Sequence, residues 1–188
     1  MNSSTMNSTY QTEHIRMFED LKHALKMDIP KLALEANGGR SILFVYPPCD
    51  DEAYISEAVE RFSDNCEFID LRSLLTEFIN DMGLEEFTRL RTEIGNEIYA
   101  SNNYSEGTFY ALIVKRITEA MATGIIPVLV HTGTIYGMGF SNNNIMEEKV
   151  VLSSRIPLVV FYPATVENGT IKFLGKQNAS KYRCIVIQ

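Results

Sequence analysis

Cysteine is scarce in this chain. Cys49, Cys66 and Cys184 are an odd number, far apart and without a CxxC pair, so neither a disulfide framework nor a zinc site is expected, and all three read as reduced core or strand residues. No apolar run approaches the roughly 20 residues of a membrane-spanning helix. The polar start MNSSTMNSTYQTE also lacks the basic and apolar regions of a signal peptide. A cytoplasmic chain without membrane contact is the expectation. Positive charge is short as well: 17 Lys and Arg against 24 Asp and Glu leave a formal −7, which opposes the attraction to phosphate backbones that nucleic-acid binding exploits. Direct nucleic-acid contact is therefore not expected. No GxxxxGK[ST] is present, which excludes a working Walker A loop, and no GxSxG marks a nucleophile elbow.

What is present suits one α/β domain. At 188 residues, 45% of them hydrophobic, the chain can bury a single large core, so 1–188 reads as one domain with residues 1–9 disordered at its start. The organising stretch is Gly124 to Asn144, GIIPVLVHTGTIYGMGFSNNN. Ile125, Ile126, Val128, Leu129 and Val130 are nearly continuous, as in a strand covered on both faces. The run then breaks into Gly133, Gly137 and Gly139 with Thr132, Thr134 and Ser141, a loop at a strand's carboxyl end, where ligands of open α/β sheets sit.

The rest of the chain alternates. Helical spacing from Tyr10 predicts an amphipathic helix, and Pro30 opens a second, Lys31 to Ala36. Ser41 to Tyr46 predicts the first strand, stopped by Pro47-Pro48. A helix over Ala53–Phe62, a strand over Cys66–Leu71, a helix ended by Gly83, a charged helix over Leu84–Tyr99 broken by Asn102-Asn103, and a helix over Thr108–Ala122 follow. Beyond the organising stretch come one short helix, Asn144–Val151, and a fourth strand, Ile156–Tyr162, that Pro163 ends. A hairpin turns at Asn168-Gly169, and a last strand covers Tyr182–Ile187. The prediction is a three-layer α/β fold whose central sheet is mostly parallel, with strands one, three and four at the centre, strand two and the C-terminal hairpin towards the edges, and some antiparallel pairing near the end. Such a fold is compatible with a P-loop-NTPase-like topology that has lost its P-loop.

Three stretches, in order, carry a further reading: Phe44-Val45-Tyr46-Pro47 with acids after it; Thr132-Gly133 with Ile135-Tyr136 and an Asn-rich helix start; and Ile156 to Pro163, then Leu174-Gly175 and Tyr182-Arg183. Together they resemble the BrxB-like components of BREX bacteriophage-exclusion systems, a bacterial family long filed as a domain of unknown function. The likeness spans most of the chain. Gly137 stands where the family has proline, Ser141 lies near an expected arginine, and the segment from Gly175 to Tyr182 is short. The resemblance implies a non-enzymatic subunit of a phage-defence complex whose partner is a PglZ-like, phosphatase-fold protein.

Weighed singly, few residues carry chemistry. Asp50, Asp51 and Glu52 would repel phosphate, and helix capping explains them without a metal; no metal and no cofactor are expected. His131, with Thr132 or Ser141 as the nucleophile it could in principle serve, lacks an identifiable orienting acid, so it reads as a packed, hydrogen-bonded histidine. Tyr46, Tyr136 and Tyr162 fall at strand ends and suggest an aromatic rim. The candidate ligand or partner surface is therefore Tyr46, Asp50, His131, Thr132, Gly133, Tyr136 and Phe140. Two functions stay open: an accessory or scaffold subunit acting by protein–protein contact, and a small-molecule or nucleotide-binding protein or hydrolase using the loop from Thr132 to Asn144.

Overall fold

The computed structural model describes residues 3–100, 107–179 and 183–188, with side chains from residue 12 onward. Helices α1 (Ser3–Leu25) and α2 (Ile29–Glu35) precede β1 (Ser41–Tyr46). Then follow α3 (Asp51–Phe62), β2 (Cys66–Asp70), α4 (Leu71–Met82), α5 (Leu84–Ile94), α6 (Phe109–Thr123) and β3 (Ile126–Val130). Two short helices, α7 (Asn142–Met146) and α8 (Lys149–Ser153), lead to β4 (Leu158–Glu167), β5 (Thr170–Phe173), β6 (Gln177–Asn178) and β7 (Cys184–Ile187).

Five strands lie in the order β2-β3-β4-β1-β7, all parallel in their pairings. All six residues of β1 are buried, as expected of a strand covered on both faces. Alternation sorts its side chains into two cores. Ile42, Phe44 and Tyr46 join Val159 and Phe161 beneath α1, α2 and α3, with Phe18, Leu21 and Leu32 from the helices. Leu43 and Val45 join Val160 and Tyr162 on the other face, against Phe78 of α4 and Phe109, Ile113 and Ile117 of α6. This is the predicted three-layer arrangement, with β1, β3 and β4 central and β2 at one edge.

Helix boundaries follow their caps. Asp28 accepts from the Lys31 N–H at 2.8 Å, the Thr108 side chain accepts from Ala111 N at 3.2 Å, and Gly124 (φ 85°) closes α6 in the left-handed region.

Several boundaries differ from the sequence reading. Helix α1 begins at Ser3, ahead of the Tyr10 start. The charged helix stops at Ile94, where Gly95 takes φ 62°, and a 3₁₀ turn runs to Ile98. The single helix over Asn144–Val151 is two, parted at Glu147-Glu148. Pro163 does not end β4: it is the register partner of Tyr46, the row where β1 itself finishes, and its carbonyl accepts from Leu174 N at 2.8 Å. Past that row β4 turns to β5 as an antiparallel partner through Ala164–Glu167, so the hairpin forms beyond the parallel sheet rather than on Val159–Phe161. The last strand pairs parallel to β1 at the sheet edge. Asn102-Asn103 and Tyr182 lie outside the described residues. Among the described residues no helix is long and apolar enough to cross a membrane.

Candidate functional site

The carboxyl ends of β1, β2 and β3 bring together polar residues distant in sequence. At the end of β1, Tyr46 is 1% exposed; its ring stacks on Tyr54 at 5.0 Å and its hydroxyl donates to Asp51 Oδ1. Burial first, and the Asp51 carboxylate second, push its phenol pKa well above the ordinary value. Pro47 then leads into a 3₁₀ turn, Pro48–Asp50, and straight into α3. Asp50 is half-buried and makes no capping bond, so the capping expected of it is not made. Its neighbours are engaged by side chains instead: Asp51 by Tyr46, and Glu52 by Arg72, whose Nη1 lies 3.0 Å from Glu52 Oε1.

His131 is the centre of this cluster. It follows β3 with φ 52° and ψ 40°, a left-handed conformation that few non-glycine residues take and that histidine takes more often than most. The ring is buried. Its Nδ1 is 2.9 Å from Asp70 Oδ1, close but poorly aligned, so that Nδ1 lacks a well-directed hydrogen bond among the described residues. Its Nε2 is 2.6 Å from Arg72 Nη2 and 3.5 Å from Glu52 Oε1. A guanidinium only donates, so Nε2 accepts and the ring proton sits on Nδ1, facing Asp70.

Asp70 is therefore the orienting acid that the sequence did not reveal. It ends β2 and caps α4, accepting from Arg72 N at 2.9 Å, Ser73 N at 3.4 Å and Ser73 Oγ at 3.2 Å. Burial raises its pKa, but the contact with His131 and the backbone donors outweigh it and hold the carboxyl below its usual value. Arg72 was missed too. The available signal was an acid at the carboxyl end of an apolar strand with Ser73 three residues on, the pattern of a helix cap rather than of a strand continuing to Leu71.

The remaining candidates separate. The Thr132 hydroxyl is buried and donates to the Phe161 carbonyl at 2.6 Å, which removes it as a nucleophile. Ser141 and Asn144 close a capping box on α7, with Ser141 Oγ 2.8 Å from Asn144 Oδ1. Gly133 has no positive φ; a Cβ there would meet the two methyls of Leu174, Cδ2 at 3.3 Å and Cδ1 at 3.8 Å. Gly137 and Gly139 do need glycine, with φ 80° and 89°, and the loop is tied down where Asn96 Nδ2 donates to the Gly137 carbonyl at 2.9 Å. Of the predicted aromatic rim, Tyr46 and Tyr162 are buried, and Tyr136 is 45% exposed with Lys176 Nζ 5.9 Å from its ring centroid. Phe140 is half-buried, edge-on to Tyr110 at 5.1 Å. A rim of three tyrosines is thus reduced to Tyr136.

Among the described residues no group of three or more His, Cys, Asp or Glu is arranged to hold a metal ion. Cys66 and Cys184 are buried, and burial pushes their thiols up to about 11 and about 12; Cys49 is exposed on the 3₁₀ turn rather than in the core. No protein-family model, no curated protein and no solved structure matches the chain.

Proposed function

We propose that this chain is a non-catalytic accessory or scaffold subunit of a BREX-like phage-defence complex, working through contact with a PglZ-like, phosphatase-fold partner. One observation supports it most: the polar groups at the strand ends are occupied by one another. Arg72 covers the basic nitrogen of His131, Asp70 faces the other, and the hydroxyl of the adjoining residue, Thr132, is bonded to backbone. A general base needs its lone pair within reach of a substrate proton, and that of His131 Nε2 is taken by Arg72. The stretches that carry the family resemblance also converge, since Tyr46 pairs with Pro163 and the Thr132 hydroxyl donates to the Phe161 carbonyl. Co-expression with the PglZ-like protein tests the proposal: one co-eluting complex is expected in size-exclusion chromatography, and separate peaks at micromolar concentrations contradict it.

The left-handed His131 beside Asp70 favours a second reading, a small-molecule or nucleotide hydrolase that works only when Arg72 withdraws. Arg72→Ala would uncover Nε2, so turnover of an ester or phosphoester substrate appearing in that variant alone supports this reading. Its absence leaves the subunit.

A further inference from the structure

Four groups around His131 come from four places in the chain: the ring follows β3, Asp70 ends β2, Arg72 lies in the first turn of α4 and Glu52 in the first turn of α3. Their distances are mutually restrictive. Arg72 Nη2 lies 2.6 Å from His131 Nε2, a contact that exists only while Nε2 carries a lone pair, because a guanidinium has nothing to offer but donors. Nδ1 faces Asp70 Oδ1 at 2.9 Å. Glu52 Oε1 is 3.5 Å from Nε2, and the same oxygen is 3.0 Å from Arg72 Nη1. Among the described residues no other carboxylate pairs with the ring.

A proton on Nε2 turns that acceptor into a donor, so it would stand against Arg72 donor to donor and cation to cation. One of the two must give way. Two carboxylates face the ring against one guanidinium, so the cluster as a whole attracts the proton and the guanidinium is the group displaced. Mobility points the same way: the Arg72 side chain is 55% exposed against 7% for the ring, and Asp70 is held by its cap on α4. Glu52, itself 71% exposed, is free to turn its shared oxygen from Arg72 onto Nε2. We infer that His131 is a pH-operated latch for Arg72: with the ring neutral the guanidinium lies on it, and protonation hands Nε2 to Glu52 and releases Arg72 as an unpaired cation at the carboxyl end of the sheet. The inference depends on neither reading of the function.

The test is a titration of the full chain from about pH 8 to about pH 5, the range in which histidine changes charge, followed by ¹⁵N NMR of the His131 ring and the Arg72 side chain. At the alkaline end Nδ1 should carry the ring proton and Nε2 should be bare. As the ring takes up its second proton, the Arg72 resonances should move in the same transition, with the order parameter of its Nε–H falling below about 0.6. In Arg72→Gln the ring should take up that proton at higher pH than in the wild type, because no cation has to be displaced. In His131→Asn, which keeps a residue that accepts left-handed backbone, Arg72 should show no transition over the range. The inference is overturned if the ring of the wild type stays neutral throughout, if Arg72 stays ordered while the ring protonates, if Arg72→Gln does not raise the pH of ring protonation, or if Arg72 moves unchanged in a folded His131→Asn.

Discussion

At Gly39 a Cβ would overlap the backbone carbonyl of Arg183, where the chain leading into β1 passes the start of β7. Backbone cannot step aside as a side-chain tip can, so Gly39→Ala should cost at least about 3 kcal/mol in urea unfolding. Gly133→Ala, meeting only the mobile end of Leu174, should cost less than about 1 kcal/mol. Gly133 is conspicuous in the sequence and Gly39 is not, because a glycine in a loop signals itself, whereas a close approach between segments far apart in the chain does not. His131 was legible as a packed, hydrogen-bonded histidine, but its partners were not, since Asp70 and Arg72 come from a different strand and helix. Asp70 also gives a pH prediction. Its folded pKa is depressed, so its stabilising contribution is present above the unfolded value of about 3.9 and is lost as pH falls through the folded value. The stability gap between wild type and Asp70→Asn should therefore be open at neutral pH and narrow below about pH 4, measured by urea unfolding across pH. A gap that stays constant would show that ionisation of Asp70 is not what matters.

Strand β4 illustrates what periodicity conveys and what it leaves out. Its apolar residues announce a buried strand, and proline normally stops a ladder because it has no N–H to give. Here Pro163 lies level with the end of β1, where the parallel pairing finishes, and its carbonyl is still used. The extension to Glu167 follows from the hairpin, which local sequence did place: Asn168 and Gly169 take φ 50° and 75°, the pair of positive angles that a two-residue turn requires. Gly169→Val should destabilise the chain by about 1 kcal/mol or more and loosen hydrogen exchange in β5 before it does so in β1. The division between α7 and α8 had no signal of that kind, because Glu147-Glu148 is neither Gly nor Pro, and the groups that hold the two carboxylates, Arg183 on Glu147 and the Tyr110 hydroxyl on Glu148, come from distant parts of the chain.

For the molecule as a whole, the layer order and the parallel sheet were readable from the alternation of apolar runs, because each run had to be buried on both sides. The function reading concerns the surface that this sheet presents at its carboxyl end. The turn between β1 and α3 is filled by Pro47, Pro48 and acids, where phosphate would meet no free amide run and no lysine, so the isolated chain should not hydrolyse ATP or GTP. Magnesium-dependent turnover that survives purification and vanishes in Asp50 or Asp51 variants would contradict this. Of the aromatic residues proposed for a partner patch, Tyr46 is interior, and Tyr136 is the one whose ring stands substantially in solvent, suited to anchor a partner at small entropic cost. The most direct test is the affinity of Tyr136→Ala for the proposed partner, a PglZ-like protein, measured beside its melting temperature. The account predicts binding weakened about tenfold or more with melting within about 2 °C of the wild type. Wild-type affinity in the folded variant, or loss of the fold itself, would contradict it.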